Sequence, residues 1–207
     1  MRTEIIGLIV FLNLCISEYA ETRAYHIGNS HTWNARPAKG LRNMFTDNGL
    51  ELSNDWHIPC GQSLSYMVES PDFQCVDPLD YIDYIDALTL EVWDVVTIQT
   101  YHGESIEVER DAVADIIRLL DWRATPKQTS VLLYCTWPPN RAEPLAGFDY
   151  TSAWEELHHS VAEDCSETRS FYTYLLESLR DEYPEYSIDA IPVGEVLNRF
   201  HLAAQGG

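Results

Sequence analysis

Apolar and polar positions along the 207-residue chain follow two periods, one suited to strands and one to helices. The clearest strand is Trp93-Asp94-Val95-Val96-Thr97-Ile98-Gln99, β-branched and apolar enough to be buried on both faces. Val131 to Trp137 is a second run of this kind, ended by Pro138-Pro139-Asn140, and Ser187 to Val193, after Pro184, is a third. A short alternation from Ala24 to Gly28 and the segment Leu50 to Ile58 predict two more strands, the latter weakened by Asn54-Asp55.

Between these runs the period changes to that of a helix. Leu41, Met44 and Phe45 predict a helix over Arg36 to Asn48 packed by that face and stopped at Asp47-Asn48-Gly49. Apolar residues at 79, 82, 85 and 88 fit another, with its aspartates solvated. Ser105 starts a third, with Glu107 and Glu109 favouring its amino-terminal end and Val113, Ile116, Ile117 and Leu120 along one face. Further helical stretches run from about Thr151 to Asp164 and from Thr168 to Tyr183, the latter with Phe171, Leu175, Leu176 and Leu179 inward. Gly194 to Phe200 begins a last one. Strands alternating with helices predict an α/β fold with a mostly parallel sheet covered on both faces, with chemistry beyond the strand carboxyl ends. Ser30, Gln99 and His102 fall at such ends.

Length adds one constraint: 207 residues support one sizeable core, so residues 21–207 are read as a single domain. Charge adds another. Acidic side chains outnumber basic ones by 33 to 13, for a formal charge of −20, which repels nucleic acid and anionic membrane surfaces. The acidity is spread along the chain and reads as a solvated surface. Met1-Arg2 followed by the apolar run Ile5 to Ile16 gives residues 1–20 a signal-peptide pattern, too short to span a bilayer, although Glu4 and an imperfect cleavage site depart from it. The expected location is secreted or periplasmic. Removal of that leader leaves Cys60, Cys75, Cys135 and Cys165. Cys60 and Cys75 are close enough to pair across a loop, whereas Cys135 lies in a strand-like run that suits a buried thiol. Cofactor and metal are expected to be absent; His158 and His159, amid Glu155, Glu156, Glu163 and Asp164, read as a solvated pair.

The candidate chemistry begins at Gly28-Asn29-Ser30, where an apolar strand breaks at a glycine and presents a serine. Pro59-Cys60-Gly61-Gln62-Ser63-Leu64 and Gln99-Thr100-Tyr101-His102-Gly103 follow two other strands. A serine needs a base and an oxyanion site before it becomes a useful nucleophile.

From residue 24 to about 197 this ordered set resembles the SGNH, or GDSL-type, hydrolases, whose fold is a flavodoxin-like three-layer α/β/α arrangement. The resemblance implies an esterase of acylated carbohydrates or another small-molecule ester, with Ser30 as nucleophile and Asn29 standing where aspartate is usual. It implies Gly61 as a backbone oxyanion donor. The asparagine of the family's third block is absent, so Gln99 or His102 would donate instead; equally, Gln99 caps its strand and His102 is a loop histidine. The family's carboxyl-terminal Asp-x-x-His is also absent. Ile191 to Leu197 resembles the strand and helix that precede that motif, which predicts a shortened domain. His201 follows Asn198 by three residues, but Asn198 lacks the negative charge an aspartate supplies. Loss of the base lowers turnover of a triad enzyme by roughly 10⁴ to 10⁶. Two readings therefore stand: a hydrolase, weakened or inactive unless another histidine replaces the base, and a secreted binding module that keeps the fold without the chemistry.

Overall fold

The computed structural model describes residues 21–34, 37–101, 104–121, 129–138, 149–156 and 168–205. Five strands, β1 (Thr22–Ile27), β2 (Leu52–His57), β3 (Val95–Ile98), β4 (Ser130–Tyr134) and β5 (Ser187–Ile191), pair in the order β2-β1-β3-β4-β5. Every pairing is parallel, and helices cover both faces, as the alternating periods predict. Ile27 lies opposite both His57 and Ile98, so β1, β2 and β3 end level with one another.

Burial explains the central order. Ile27, Val96, Ile98, Val131 and Leu133 are fully buried, and each such side chain contributes roughly 1.5–3 kcal/mol relative to an exposed one. β5 is an edge strand and alternates instead, with Ile188 buried and Ser187 and Asp189 exposed. Its outer backbone is partly covered: the Arg180 guanidinium donates to the Ile188 carbonyl and to Asp189.

The helices are α1 (Ser30–Asn34), α2 (Arg42–Asp47), α3 (Leu64–Glu69), α4 (Tyr84–Leu90), α5 (Ile106–Leu120), α6 (Tyr150–Glu155), α7 (Arg169–Glu182) and α8 (Val193–Gln205), with a π-helical turn at Pro37–Leu41. Helix α5 is packed by α3, α4 and α7, and α6 packs on α8. Ser105 and Thr168 cap α5 and α7, their hydroxyls accepting from the Val108 and Phe171 amides. Phe171, Leu175 and Leu179 form the inner face of α7, as their spacing predicts.

Three expectations change. The helix expected over Arg36 to Asn48 is divided between the π-helical turn and α2, and Met44 is 64% exposed, so the face expected to pack is not buried. The helix expected from residue 79 begins only at Tyr84, where Asp83 accepts from the Asp86 amide as its cap, leaving Leu79 and Ile82 in solvent. The reason lies in β2. Asp55, which made that strand look poor, is buried, and its carboxylate accepts from the amides of Leu79, Asp80 and Tyr81 at 2.9, 3.0 and 3.2 Å as well as from its neighbour Trp56. Those amides are committed to Asp55 rather than to a helix.

Candidate active site at the strand carboxyl ends

In an open parallel sheet, the crevice at the point where strand order reverses is the usual place for a ligand. Here that point lies between β1 and β3. The chain leaving β1 carries Gly28, Asn29 and Ser30, and the chain leaving β3 carries Gln99 and Thr100. The amide of Gly28 donates to His57 on β2 at 3.3 Å, and that of Gln99 donates to Ile27 on β1 at 2.9 Å.

Gln99 ties the serine turn to the sheet. Its side chain is almost wholly buried, and Oε1 accepts from the Asn29 amide at 3.1 Å, the Thr32 amide at 3.2 Å and the Thr32 hydroxyl at 3.0 Å. Three converging donors fix the carboxamide with its oxygen toward the turn. Nε2 then donates to the neighbouring Thr100 carbonyl. Asn29 is also buried, and its Oδ1 accepts from the His31 amide at 3.0 Å, closing a local side-chain turn. Ser30 is half-buried at the start of α1. Gly28 is required by space: a Cβ there would strike the Thr32 hydroxyl and lie 2.8 Å from Cβ of Gln99.

Around this turn, His31 stacks on Trp137, which leaves the end of β4; the ring centroids are 5.1 Å apart and the planes differ by 4°. Beneath, the Tyr172 hydroxyl from α7 accepts from the Thr136 amide at 3.0 Å and lies 3.2 Å from the hydroxyls of Thr100 and Thr136. One phenol thus joins the ends of β3 and β4. The Tyr101 amide donates to the fully buried Glu109 of α5 at 2.9 Å. The sequence marks Glu109 only as an acid suited to a helix start, and it carries no signal for Thr32 or Tyr172.

Gly61 lies in the turn that follows β2, the strand paired in register with β1. Its φ of +69° is left-handed, which glycine adopts without strain, in a turn that the Gln62 amide closes onto Pro59 at 3.1 Å. A Cys60–Cys75 disulfide anchors that turn, with Cα atoms 5.7 Å apart. Cys135 is a buried thiol, donating to the Leu133 carbonyl.

The histidines divide. His26 is buried with Nδ1 2.8 Å from the Thr97 hydroxyl, and burial pushes its pKa down to about 4. His57 is fully buried against Tyr84, and burial again pushes it down to about 4. His201 sits eight residues into α8, about 12 Å along the axis from the helix start. Its partners are Asp149 at 3.5 Å and Gln205 at 2.9 Å, beside the Tyr150 ring. Hydrogen bonds from Ser152 hold Asp149 below the usual carboxylate range. Asn198 is turned to Thr151, whose hydroxyl donates to it at 2.8 Å. The fold thus gathers Asn29, Ser30 and Gln99, sets Gly61 on the adjacent strand end, and gives His201 partners on α6 and α8. His102, His158, His159 and Cys165 lie outside the described residues. Among the described residues, no cluster of three or more His, Cys, Asp or Glu could hold a metal ion. A shallow cleft lined by Glu21, Arg42, Thr46, Glu51 and Leu52 lies at the opposite, amino-terminal end of the sheet.

No protein-family model matches the chain, and no curated protein matches it. Among solved structures, it is similar to a DUF4886 family protein from Bacteroides uniformis, with a TM-score of 0.52 and 15% identity over 83% of this chain and 67% of that one. A Streptococcus pneumonia protein named as a candidate platelet activating factor aligns with a TM-score of 0.45 and 13% identity, over 93% of this chain and 83% of the other. At that identity, the first similarity shows a shared fold.

Proposed function

We propose that this chain is a serine hydrolase of SGNH type acting on esters, with Ser30 as the nucleophile and the Ser30 and Gly61 backbone amides as oxyanion donors. The observation that carries the reading is the meeting of the Gly28-Asn29-Ser30 turn with the end of β3 at the point of strand reversal. A half-buried serine lies there at the start of α1, and its turn is fastened to two strands before any substrate arrives. The stacked His31 and Trp137 rings offer an aromatic wall suited to the face of a sugar or an acyl chain. Residues 1–20 are proposed to direct export, which the Cys60–Cys75 disulfide supports, since such bonds persist in oxidising compartments.

A second reading, a binding module without catalysis, is favoured by the described histidines. His31 is stacked on Trp137, and the buried His26 and His57 resist protonation. A fluorophosphonate probe separates the two readings. Covalent labelling of the folded protein that is lost in Ser30→Ala supports the hydrolase; absence of any Ser30 adduct, with a related hydrolase labelled in parallel, leaves the binding module.

A further inference from the structure

We infer that Gln99 is a positioning residue that holds Ser30 in its reactive geometry by accepting hydrogen bonds, and that it is not itself an oxyanion donor. The consequence for reactivity rests on the hydrolase reading; the hydrogen-bonding role does not.

A donor to an oxyanion must aim an N–H at the crevice. The Gln99 carboxamide is oriented otherwise. Its oxygen faces the amides of Asn29 and Thr32 and the Thr32 hydroxyl, and its nitrogen donates back to Thr100. Reversing the carboxamide would set an NH₂ against the amides of Asn29 and Thr32 and an oxygen against the Thr100 carbonyl, so three contacts would turn repulsive at once, while the Thr32 hydroxyl could turn to accept. The three donors flank Ser30 on both sides in the sequence, at residues 29 and 32. A short α1 of five residues has little stability of its own; beside the Trp33 amide on the Asn29 carbonyl, its first turn is held by this one acceptor and by the Asn29 side chain on the His31 amide. The Cβ of Gln99 also lies close to Gly28, so the same residue limits the approach of the turn from below.

The test compares Gln99→Met, which keeps length and removes the acceptor, with Gln99→Glu, which keeps an acceptor oxygen. Three readouts are needed: amide hydrogen exchange at Asn29 and Thr32, the rate of fluorophosphonate labelling at Ser30, and KM and kcat for a model ester. Gln99→Met should speed exchange at Asn29 and Thr32 at least tenfold relative to amides within β3. Labelling and kcat should fall by a similar factor or more, with KM changed less than threefold. Gln99→Glu should recover part of both losses. If Gln99→Met slows labelling while exchange at Asn29 and Thr32 is unchanged, Gln99 acts on the oxyanion directly and the inference is overturned; unchanged exchange and unchanged labelling overturn it too. A wild-type protein that never labels removes the hydrolase reading, while the exchange measurement still decides the role of Gln99. Should Gln99→Met fail to fold, Thr32→Val removes one of the three donors and should give a smaller change of the same kind; no change in Thr32→Val counts against the inference.

Discussion

The carboxylate of Asp55, on the second strand of the sheet, takes the backbone amide of Asp80 at 3.0 Å, twenty-five residues further along the chain. With the amides of Leu79, Tyr81 and Trp56 it satisfies four donors from a buried position. Removing it leaves the buried Trp56 amide and the part-buried amides of Leu79, Asp80 and Tyr81 without their acceptor. Each orphaned donor costs about 1–3 kcal/mol, so Asp55→Ala is expected to lower stability by about 3 kcal/mol or more. Asp55→Asn should cost less, because one carbonyl oxygen remains to accept. Urea unfolding of the three proteins checks the order; a loss below about 1 kcal/mol in Asp55→Ala would contradict it.

Asp55 also shows how far the sequence could be read. All five strands are visible from period and β-branching, and their alternation with helices is enough to predict a parallel sheet. The residue that weakened the second strand and the residues that suggested an early start to the helix after it are one interaction. Neither can be interpreted alone, since a buried carboxylate is recognisable only when its distant donors are known. The candidate site divides along the same line. Gly28-Asn29-Ser30 and Gly61 are legible because glycine and turn chemistry are local. The orientation of Gln99 and the bridge made by Tyr172 are set by contacts between residues far apart, and the place of Glu109 under Tyr101 by a loop that the helical period does not describe; the sequence pattern carries none of them.

Acidification should destabilise the fold through two histidines. His26 and His57 both have folded pKa values lowered by burial from 6.5 to about 4. Below about pH 6.5 the unfolded chain binds protons that the folded chain does not, so stability is complete above that value and falls as the pH drops to about 4. The limit is on the order of 3 kcal/mol for each residue. Relief of repulsion among the carboxylates works in the other direction on a chain of formal charge −20. The discriminating measurement is therefore the difference between wild type and His57→Phe at about pH 7 and about pH 4.5. The variant is expected to lose less on acidification; equal losses would show that His57 does not titrate between the two states.

The Cys60–Cys75 disulfide closes a loop with a sequence separation of 15 that contains the Gly61 turn and α3. A loop of about that length is worth about 3 kcal/mol through the unfolded state. The paired variant Cys60→Ser with Cys75→Ser should unfold at correspondingly lower denaturant, and wild type in reductant should match it. Because the turn keeps its Pro59–Gln62 hydrogen bond, native-state labelling at Ser30 is expected to fall less than stability does. A collapse of labelling in a variant that remains folded would place more of the turn's geometry in the disulfide than in its backbone.

Gly28→Ala tests the close approach at the start of the serine turn. The added methyl would strike the Thr32 hydroxyl and sit 2.8 Å from Cβ of Gln99. Neither neighbour can retreat freely, because the Thr32 hydroxyl is bonded to the Gln99 oxygen and Gln99 begins where β3 ends, with its amide on Ile27. Relief therefore requires the turn to lift away from the sheet. Overpacking of this kind costs roughly 1–3 kcal/mol, and here the displaced atoms are those that set Ser30. The expected outcome is a folded protein, less stable by about that amount, whose labelling at Ser30 falls more than tenfold. The companion change Gly49→Ala has open space around its Cβ but a φ of +70°, so it should lose a comparable amount of stability and leave labelling unchanged. Equal labelling in the two variants would show that the reactivity of Ser30 does not depend on how closely its turn lies against Gln99.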